Sequence, residues 1–281
     1  MSATSRAAPT PEQARAEIAE NLGWYHSIDV APGVTTPGVF DLRPIVDRLP
    51  WPDVRGKRCL DVGTYDGFFA FELERRGATE VVATDIADHE LWDWPPHLRM
   101  RGPEYLRAVT GPTPGAGFEI ARSLLGSAAT REEISVYDLS PERLGRFDVI
   151  VCGSLLLHLR DPLQALVAIR SVCADRFLST NQVDLPRSLR HTNRALVRLD
   201  GVSDLGQWWI PNAAGHRQML RAAGFEVEKQ SRLYSIPFGP AHEPMPLRPR
   251  RAASKLARRA FTGNDGVPHH AVLARPAPAG S

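Results

Sequence analysis

The chain has 281 residues, 43% of them hydrophobic, which allows one large domain with a sizeable core. Its formal net charge of +2 gives the whole chain no strong nucleic-acid footprint. No apolar run approaches the ~18 residues of a membrane span, and MSATSRAAPT lacks the apolar core of a signal peptide. We therefore expect a cytoplasmic protein without membrane partners. Cys59, Cys152 and Cys173 show no metal-ligand spacing, so we expect reduced core thiols and no metal.

The N-terminal part is predicted to be helical and turn-rich. Residues 1–10 are expected to be disordered, and Thr10-Pro11-Glu12-Gln13 is typical of a capping box that starts a helix reaching about Leu22. An aromatic, turn-rich stretch follows, and residues 41–49 are predicted to form a second short helix. We treat residues 11–56 as an N-terminal helical or lid segment that precedes the main domain at 57–281.

The main domain alternates strand and helix patterns. The predicted strands lie at about 58–62, 80–85, 132–138, 147–153, 175–183, 225–236 and 267–275. The predicted helices lie at about 67–76, 118–126, 161–173 and 212–223. This alternation predicts an α/β fold with a doubly wound, mostly parallel sheet. The last two strands lack a crossover helix in the usual place, which indicates an antiparallel ending.

The most informative stretch is RCLDVGTYDGFFAFELERRGATEVVATDIAD, residues 58–88. It predicts a strand, a turn containing Gly63 and Gly67, a helix, and a second strand that ends at Asp85. Glycine in such a turn allows a ligand to approach the backbone, and the free amides at a helix start favour an anionic group. A carboxylate at the end of the second strand can accept hydrogen bonds from two ribose hydroxyls. The unit is therefore expected to bind a ribose-bearing cofactor.

The same turn disfavours a dinucleotide. A nicotinamide or flavin fingerprint requires G-x-G-x-x-G, but Tyr65 stands at the second glycine position. Asp61 and Asp66 flank the turn, where carboxylates would repel a pyrophosphate but suit an ammonium group. The cofactor that fits is S-adenosylmethionine, whose amino-acid part carries an ammonium and whose ribose would meet Asp85.

Two later strand ends are predicted to complete a nucleoside site. Asp138 follows the run Ile134–Tyr137 and could accept from the adenine amino group, although a helix N-cap or turn role is also common for Asp. The buried strand 147–153 opens into a loop that carries Gly153, Ser154 and His158. His158 is a candidate base, with a structural role as the alternative.

The segments CLDVGTYDGFFAFEL, VVATDI, FDVIVCGSLLLHLRDP and WWIPNAAGHRQMLRAAGF resemble class I S-adenosylmethionine-dependent methyltransferases. More closely, they resemble the branch of the bacterial enzyme that installs a carboxymethyl group on wobble 5-hydroxyuridine in tRNA. The resemblance covers about Trp24 to Arg275 and implies a Rossmann-like seven-stranded sheet with a reversed last strand. The cofactor contacts that we expect are Asp61, Gly63, Thr64, Tyr65, Gly67, Asp85, Ile86, Asp138, Leu139, Gly153 and Ser154.

Departures from that tRNA enzyme bear on the form of the cofactor. The resemblance implies that it grips a carboxylated cofactor with a lysine, a tyrosine and an arginine. Leu157 stands at the tyrosine position, residues 268–272 (PHHAV) replace the run that holds the arginine, and the lysine has no clear match near Tyr25. An added carboxylate would be buried unpaired. We therefore expect plain S-adenosylmethionine and methyl transfer.

The acceptor side offers several candidate residues. His26, which follows Trp24 and Tyr25, is a second candidate base, and His191 is a further candidate. The segment that carries His26 is either a lid over the site or a packed N-terminal clamp. A strand places His269 and His270 on opposite faces, so at most one is expected to point inward and the other toward the surface. The expected acceptor contacts are Trp24, Tyr25, Asn181, Trp208, Trp209 and His270, each with a core-packing or turn role as its alternative.

A basic stretch at residues 247–259, within an insertion at 237–266, offers a different hypothesis. Such arginine-rich runs bind phosphate backbones, but this one has no interleaved stacking aromatics, so a solubilising insertion is preferred to RNA binding. We expect a methyltransferase for a small-molecule acceptor, in bacterial specialised metabolism to judge from Ala, Arg and Pro usage. A tRNA-modifying enzyme and a non-methylating cofactor-binding protein are the alternatives. The oligomeric state is left open.

Overall fold

The computed structural model describes residues 9–111, 113–243 and 249–278. Of the tail expected to be disordered, residues 1–8 lie outside this part. The strands are β1 Asp29–Ala31, β2 Val34–Thr35, β3 Arg58–Val62, β4 Glu80–Asp85, β5 Thr130–Glu133, β6 Phe147–Gly153, β7 Cys173–Gln182, β8 Val197–Leu199, β9 Trp209–Pro211, β10 Phe225–Gln230, β11 Tyr234–Ile236 and β12 Val267–Pro276.

The α-helices alternate with these strands. They are α1 Pro11–Ala19, α2 Phe68–Arg75, α3 Pro96–Arg99, α4 Pro103–Thr110, α5 Ala116–Leu125, α6 Pro141–Leu144, α7 Pro162–Val172, α8 Leu185–Arg190, α9 Ala213–Ala222 and α10 Pro249–Thr262. The capping box predicted at Thr10 is present, because its hydroxyl accepts from the Gln13 amide while the Gln13 side chain accepts from the Thr10 amide.

The central sheet has the order β10-β12-β7-β6-β3-β4-β5, with β11 also paired to β12. β3 to β7 are mutually parallel, whereas β12 runs antiparallel to both β7 and β10. This confirms the predicted Rossmann-like sheet with a reversed last strand. The carboxyl ends of β3, β4, β5 and β6 meet at one edge of the sheet, where open α/β sheets bind their ligands.

Several element predictions were wrong. The predicted strand 225–236 is divided into β10 and β11, because the chain leaves the sheet at 231–233. The predicted strand 132–138 ends at Glu133 and continues as a 3-10 helix over Val136–Asp138. Residues 41–49 contain only a 3-10 turn at Val46–Arg48, where a helix was expected. The helices at 96–110 were not predicted, since they are short and each begins at a proline.

The core has one apolar layer on each face of the sheet. On one face α2 and α5 pack against the N-terminal segment, with Phe71 stacked on Phe118. On the other face α7 and α9 cover β6, β7 and β12. The three cysteines are buried and unpaired, as expected. Within the described ranges, no helix has the length and apolar character needed to cross a membrane.

Candidate functional site

The turn after β3 relies on backbone conformations that side-chain residues avoid. Gly63 and Gly67 have φ values of 73° and 93°, and Tyr65 itself lies in the left-handed region at φ 53°. A Cβ on Gly63 would lie 2.9 Å from Cδ2 of Leu155, so no other residue fits without a shift of that side chain. A tyrosine held at positive φ is uncommon, and such residues concentrate at functional sites.

Asp61 stabilises this turn from inside. Its Oδ2 accepts hydrogen bonds from the Thr64 hydroxyl at 2.7 Å and from the Ala70 amide at 3.0 Å, and the carboxyl is only 1% exposed. Burial raises the pKa of Asp61 to about 7, against the lowering effect of the Thr64 hydrogen bond. Asp61 and Thr64 therefore shape the turn and do not line the cavity described below, where direct contacts were expected.

Asp85, at the end of β4, faces the turn. Its Oδ2 accepts from the Tyr65 amide at 2.7 Å and its Oδ1 accepts from the Ile86 amide at 2.8 Å. Burial raises its pKa, and the two amide hydrogen bonds oppose this rise. Each carboxylate oxygen keeps a further lone pair, which is the acceptor capacity that a pair of ribose hydroxyls requires.

Asp66 connects the turn to the N-terminal segment. Its Oδ2 accepts from the amides of Tyr25 at 2.9 Å and His26 at 2.8 Å, and its Oδ1 contacts Nδ1 of the His26 ring. The carboxyl is 1% exposed. From the sequence, Asp66 was expected to suit the ammonium group of the cofactor. In the structure its carboxylate is instead bonded to the His26 ring and to the two backbone amides.

These elements surround a cavity of about 340 Å³, a size suited to a small molecule. The strand ends contribute Val62, Gly63, Tyr65, Thr84, Asp85, Ile86, Ile134, Ser135, Val136, Tyr137, Gly153, Ser154, Leu155, His158 and Leu159. The remaining lining residues are Tyr25, His26, Leu91, Trp92, Asp93, Trp94, Val109, Leu205 and Gly206. Six of the eleven predicted cofactor residues thus line one cavity with both candidate bases.

The loop after β6 is the second strained part of the wall. Ser154 has φ 53°, and its hydroxyl lies 2.9 Å from Nε2 of His269. A Cβ on Gly153 would lie 2.3 Å from the Phe69 ring, which explains why the chain has glycine there. His269 thus holds the Ser154 side chain in place from β12.

His158 also faces the cavity. Its Nδ1 lies 2.9 Å from the carbonyl oxygen of Gly206, so this nitrogen carries the proton and Nε2 keeps a lone pair. Burial lowers the pKa of His158, and the Gly206 hydrogen bond only partly offsets this. The ring is therefore neutral near pH 7.

Two segments, residues 91–109 and 203–208, close the cavity from above, and we call them the roof. Trp94, Leu98 and Leu106 form a small buried cluster within it. Arg101 forms an ion pair of 2.9 Å with Asp204, which connects the two segments.

The predicted adenine contact is misplaced. Because β5 ends at Glu133, residues 134–137 reach the cavity; Asp138 is exposed beyond them and Leu139 is buried in the core. Gly67 also lies outside the lining, as the left-handed N-cap of α2 against the rings of Phe71 and Phe118.

Most of the predicted acceptor residues do not line the cavity. Trp24 is a core residue whose indole donates to the Ile18 carbonyl. Trp208 and Trp209 donate to the carbonyls of Asp93 and Arg160 and so hold loops together. Tyr25 is the one acceptor prediction that lines the cavity.

The other two acceptor predictions lie in the layer between the sheet and α9. Asn181 is fully buried there, and His270 lies beside His216 with their Nδ1 atoms 3.2 Å apart. The His269-His270 pair is buried on both faces, 4% and 2% exposed, so the expected surface histidine was wrong. His191 does not line the cavity.

Sequence reasoning missed the residues of the roof and of the loop after β5. Trp92 lines the cavity, its indole donates to the Ile86 carbonyl at 3.3 Å, and it stacks on Trp94. A usable signal was present, because Trp92 and Trp94 follow the acidic strand end within ten residues. Ser135 had no such signal.

The sheet order and the glycine turn facing Asp85 define a Rossmann-like methyltransferase domain. Consistent with this, the chain belongs to the methyltransferase domain family, whose sequence profile matches residues 40–230. This confirms the class predicted from the sequence and supports S-adenosylmethionine as its cofactor.

Two relatives show what the chain is similar to. It is 29% identical over 181 residues to the tRNA U34 carboxymethyltransferase of Pseudomonas paraeruginosa, covering 63% of this chain and 47% of that enzyme. It is 32% identical over 209 residues to the ubiquinone biosynthesis O-methyltransferase of Neisseria meningitidis, covering 67% of this chain and 73% of that enzyme. The chain thus spans about half the length of the tRNA enzyme.

Among solved structures, the chain is similar to an S-adenosylmethionine dependent methyltransferase from Mesorhizobium loti, with a TM-score of 0.45 and 16% identity over 80% of this chain and 93% of that chain. Another is the 1,6-didemethyltoxoflavin-N1-methyltransferase of Burkholderia thailandensis, with a TM-score of 0.48 and 16% identity over 80% of this chain and 72% of that chain.

Proposed function

We propose that this protein transfers a methyl group from S-adenosylmethionine to a small-molecule acceptor bound in the 340 Å³ cavity. The observation that carries the proposal is the position of Asp85, whose carboxylate faces the glycine turn at the wall of that cavity. Gly63 and Gly153 leave space that a Cβ would fill, so backbone can approach a ligand there. The residues present therefore fit the cofactor.

The proposed roles follow from these contacts. Asp85 would hold the ribose hydroxyls, and the walls at Gly63, Ile86, Ser135 and Gly153 would hold the rest of the cofactor. When bound, S-adenosylmethionine supplies an activated methyl group, so that positioning of the acceptor provides most of the rate. The uncarboxylated form is favoured because Leu157 is buried and both histidines of β12 have other partners.

His26 is the better candidate for the general base. Its Nδ1 faces the Asp66 carboxylate and so carries the proton, which leaves the Nε2 lone pair to accept a proton from the acceptor. A carboxylate behind the ring stabilises the imidazolium that forms. His158 has only the neutral Gly206 carbonyl behind it and is the weaker candidate. Of the two alternatives for the N-terminal segment, the packed clamp is favoured, because Trp24, Ile28 and Leu42 belong to the core while Tyr25 and His26 reach the cavity.

The tRNA alternative has less support. The basic stretch at 247–259 belongs to an insertion between β11 and β12, and no residue of α10 lines the cavity within the described part. A non-methylating role is disfavoured by the His26–Asp66 pair at the same cavity. Bacterial specialised metabolism is part of this proposal on the basis of Ala, Arg and Pro usage alone, and the cytoplasmic location stays an expectation from the sequence.

The experiment is calorimetric titration of the purified protein with S-adenosylmethionine and S-adenosylhomocysteine, followed by transfer of a radiolabelled methyl group to fractionated bacterial extracts. We expect saturable binding of both compounds and label in the small-molecule fraction. Absence of binding would contradict the proposal, and label confined to tRNA would replace it with the RNA alternative. Salt-dependent tRNA retention is the independent check on that alternative.

A further inference from the structure

The roof presents apolar side chains to the cavity and to solvent at the same time. Leu91, Val109 and Leu205 all line the cavity, yet they are 66%, 51% and 68% exposed. Single exposed aliphatic residues are ordinary, but three around the mouth of one cavity mark a binding surface. Leu159, from the loop after β6, extends the same apolar wall inward.

Flat aromatic surfaces border this wall. Trp92 and Trp94 both line the cavity and stack with ring centroids 5.6 Å apart and planes 20° apart. The Trp92 ring is also 6.4 Å from that of Tyr65 on the cofactor turn. Planar rings favour planar partners through offset or edge-to-face contacts. The aromatic wall is therefore continuous from the cofactor side to the roof.

The charges around the cavity disfavour an anionic acceptor. Asp85 and Asp93 line the cavity, but no lysine or arginine does among the described residues. Asp93 is already occupied, because its Oδ2 accepts from the Tyr137 hydroxyl at 2.5 Å and from the Arg160 amide at 2.8 Å.

The three arginines of the roof already have partners. Arg101 pairs with Asp204 at 2.9 Å, Arg107 lies 3.6 Å from Glu90, and Arg99 donates to the Trp92 carbonyl at 3.1 Å. A carboxylate or phosphate on the acceptor would therefore lie near Asp85 and Asp93 with no cation among the lining residues to offset its charge.

We infer that the roof forms an acceptor subsite for an uncharged, planar aromatic compound that carries a hydroxyl group. This rests on the proposed function: the hydroxyl would give its proton to His26 Nε2 as its oxygen bonds to the methyl carbon. The bond between that carbon and the sulfonium sulfur would break, with S-adenosylhomocysteine as the leaving group. Leu91, Val109 and Leu205 cover the ring system, and Trp92 packs on its face. Specificity then comes from shape and from the exclusion of charge.

The test compares 2-naphthol with 6-hydroxy-2-naphthoate and 2-naphthylmethylammonium, each titrated calorimetrically into the protein saturated with S-adenosylhomocysteine. At pH 7.5 we expect 2-naphthol to bind at least about tenfold more tightly than either charged compound. Equal or tighter binding of a charged compound would overturn the inference, as would no binding of 2-naphthol at its solubility limit. Failure of S-adenosylhomocysteine to bind would instead contradict the proposed function.

A charge placed on the roof should reverse the preference. Leu205→Arg and Val109→Arg are each expected to weaken the binding of 2-naphthol and to strengthen the binding of 6-hydroxy-2-naphthoate. The affinity for S-adenosylhomocysteine should stay unchanged. The matched control is Val167→Arg, since Val167 is 55% exposed on α7 and does not line the cavity. If both roof variants bind the two compounds as the control does, the acceptor does not contact the roof and the inference is wrong.

Discussion

The backbone amide of Tyr65 donates a hydrogen bond of 2.7 Å to Oδ2 of Asp85, and this contact joins the turn after β3 to the end of β4. The bond fixes the carboxylate against a residue that is itself held at positive φ. Two strands that are neighbours in the sheet are thus connected at the edge where the ligand site lies. The orientation of Asp85 is set before any ligand arrives, which lowers the entropy lost on binding.

Replacement of Asp85 by asparagine should weaken cofactor binding. Loss of a charged hydrogen-bond partner corresponds to roughly a 10- to 100-fold increase in the dissociation constant of S-adenosylhomocysteine. Calorimetry at pH 7.5 measures it, and Asp88→Asn is the control because Asp88 is an exposed residue three positions further along the loop. Equal affinities of Asp85→Asn and the wild type would remove Asp85 from the cofactor site.

The glycine turn gives a second prediction. Gly63→Ala combines a left-handed backbone with a Cβ 2.9 Å from the Leu155 side chain, and should lower the free energy of unfolding by about 1–3 kcal/mol. Gly33→Ala is the matched control, because Gly33 has φ 69° but open space around its Cβ position. Urea denaturation of both should show the larger loss for Gly63→Ala. An equal loss would mean that Leu155 moves aside without a measurable free-energy difference.

The sequence predicts those parts of the fold and site that depend on residues close together in the chain. The β3–turn–α2–β4 unit could be predicted because an apolar run, Gly63 and Asp85 are all local features. The pairing of Asp66 with His26 could not, since it joins residues 40 positions apart through a fold that brings the N-terminal segment onto the turn. The misplacement of Asp138 has a different origin, because residue propensity does not fix where a strand ends.

The roof illustrates the other limit. Its helices α3 and α4 span only four and eight residues and each begins at a proline, so their apolar residues form too short a pattern to predict a helix. The role of Trp208 depends on the contact of its indole with the Asp93 carbonyl, which no local pattern encodes. Trp208 was therefore assigned to the acceptor site, although its contact holds two loops together.

The proposed base leads to a kinetic prediction. His26→Gln should reduce methyl transfer at saturating substrate by about 100-fold or more, because proton abstraction is lost, while S-adenosylhomocysteine affinity stays within about twofold. Single-turnover transfer of a radiolabelled methyl group to 2-naphthol measures the rate. Asp66→Asn should also slow transfer, since the charge that stabilises the imidazolium is removed. A larger loss in His158→Gln than in His26→Gln would assign the base to His158.

Asp61 predicts a pH dependence of stability. Its pKa is raised to about 7 in the folded protein, mainly by burial, so the folded state binds more protons than the unfolded chain between about pH 4 and pH 7. The contribution of Asp61 to the free energy of unfolding is therefore fully present at low pH and is lost as the pH rises toward 7. From pH 4.5 to 7.5, the wild type should lose about 3 kcal/mol of unfolding free energy relative to Asp61→Asn. Parallel pH profiles of the two proteins, obtained by urea denaturation, would contradict this.

The histidines between β7, β12 and α9 form a directional chain of hydrogen bonds. His270 Nε2 lies 3.2 Å from Oε1 of Gln230, so Nε2 carries the proton and His270 Nδ1 is an acceptor. His216 Nδ1 must then donate to His270, and its Nε2 accepts from the Ser179 hydroxyl at 2.9 Å. Protonation of His270 would place its Nδ1–H against the Nδ1–H of His216. Protonation of His216 would add an N–H at Nε2, where it now accepts from the Ser179 hydroxyl.

This chain predicts a loss of stability in acid. Burial lowers the pKa of His216 and lowers that of His270 to about 4, so both rings stay neutral in the fold while the unfolded chain takes up protons near pH 6.5. The contribution of these two neutral histidines to the free energy of unfolding is therefore present above pH 6.5 and is lost as the pH falls toward 4. From pH 7.5 to 5, the wild type should lose about 2 kcal/mol more than His270→Gln in urea denaturation. Nitrogen NMR of the imidazoles should place the His216 proton on Nδ1; a proton on its Nε2 would contradict the chain.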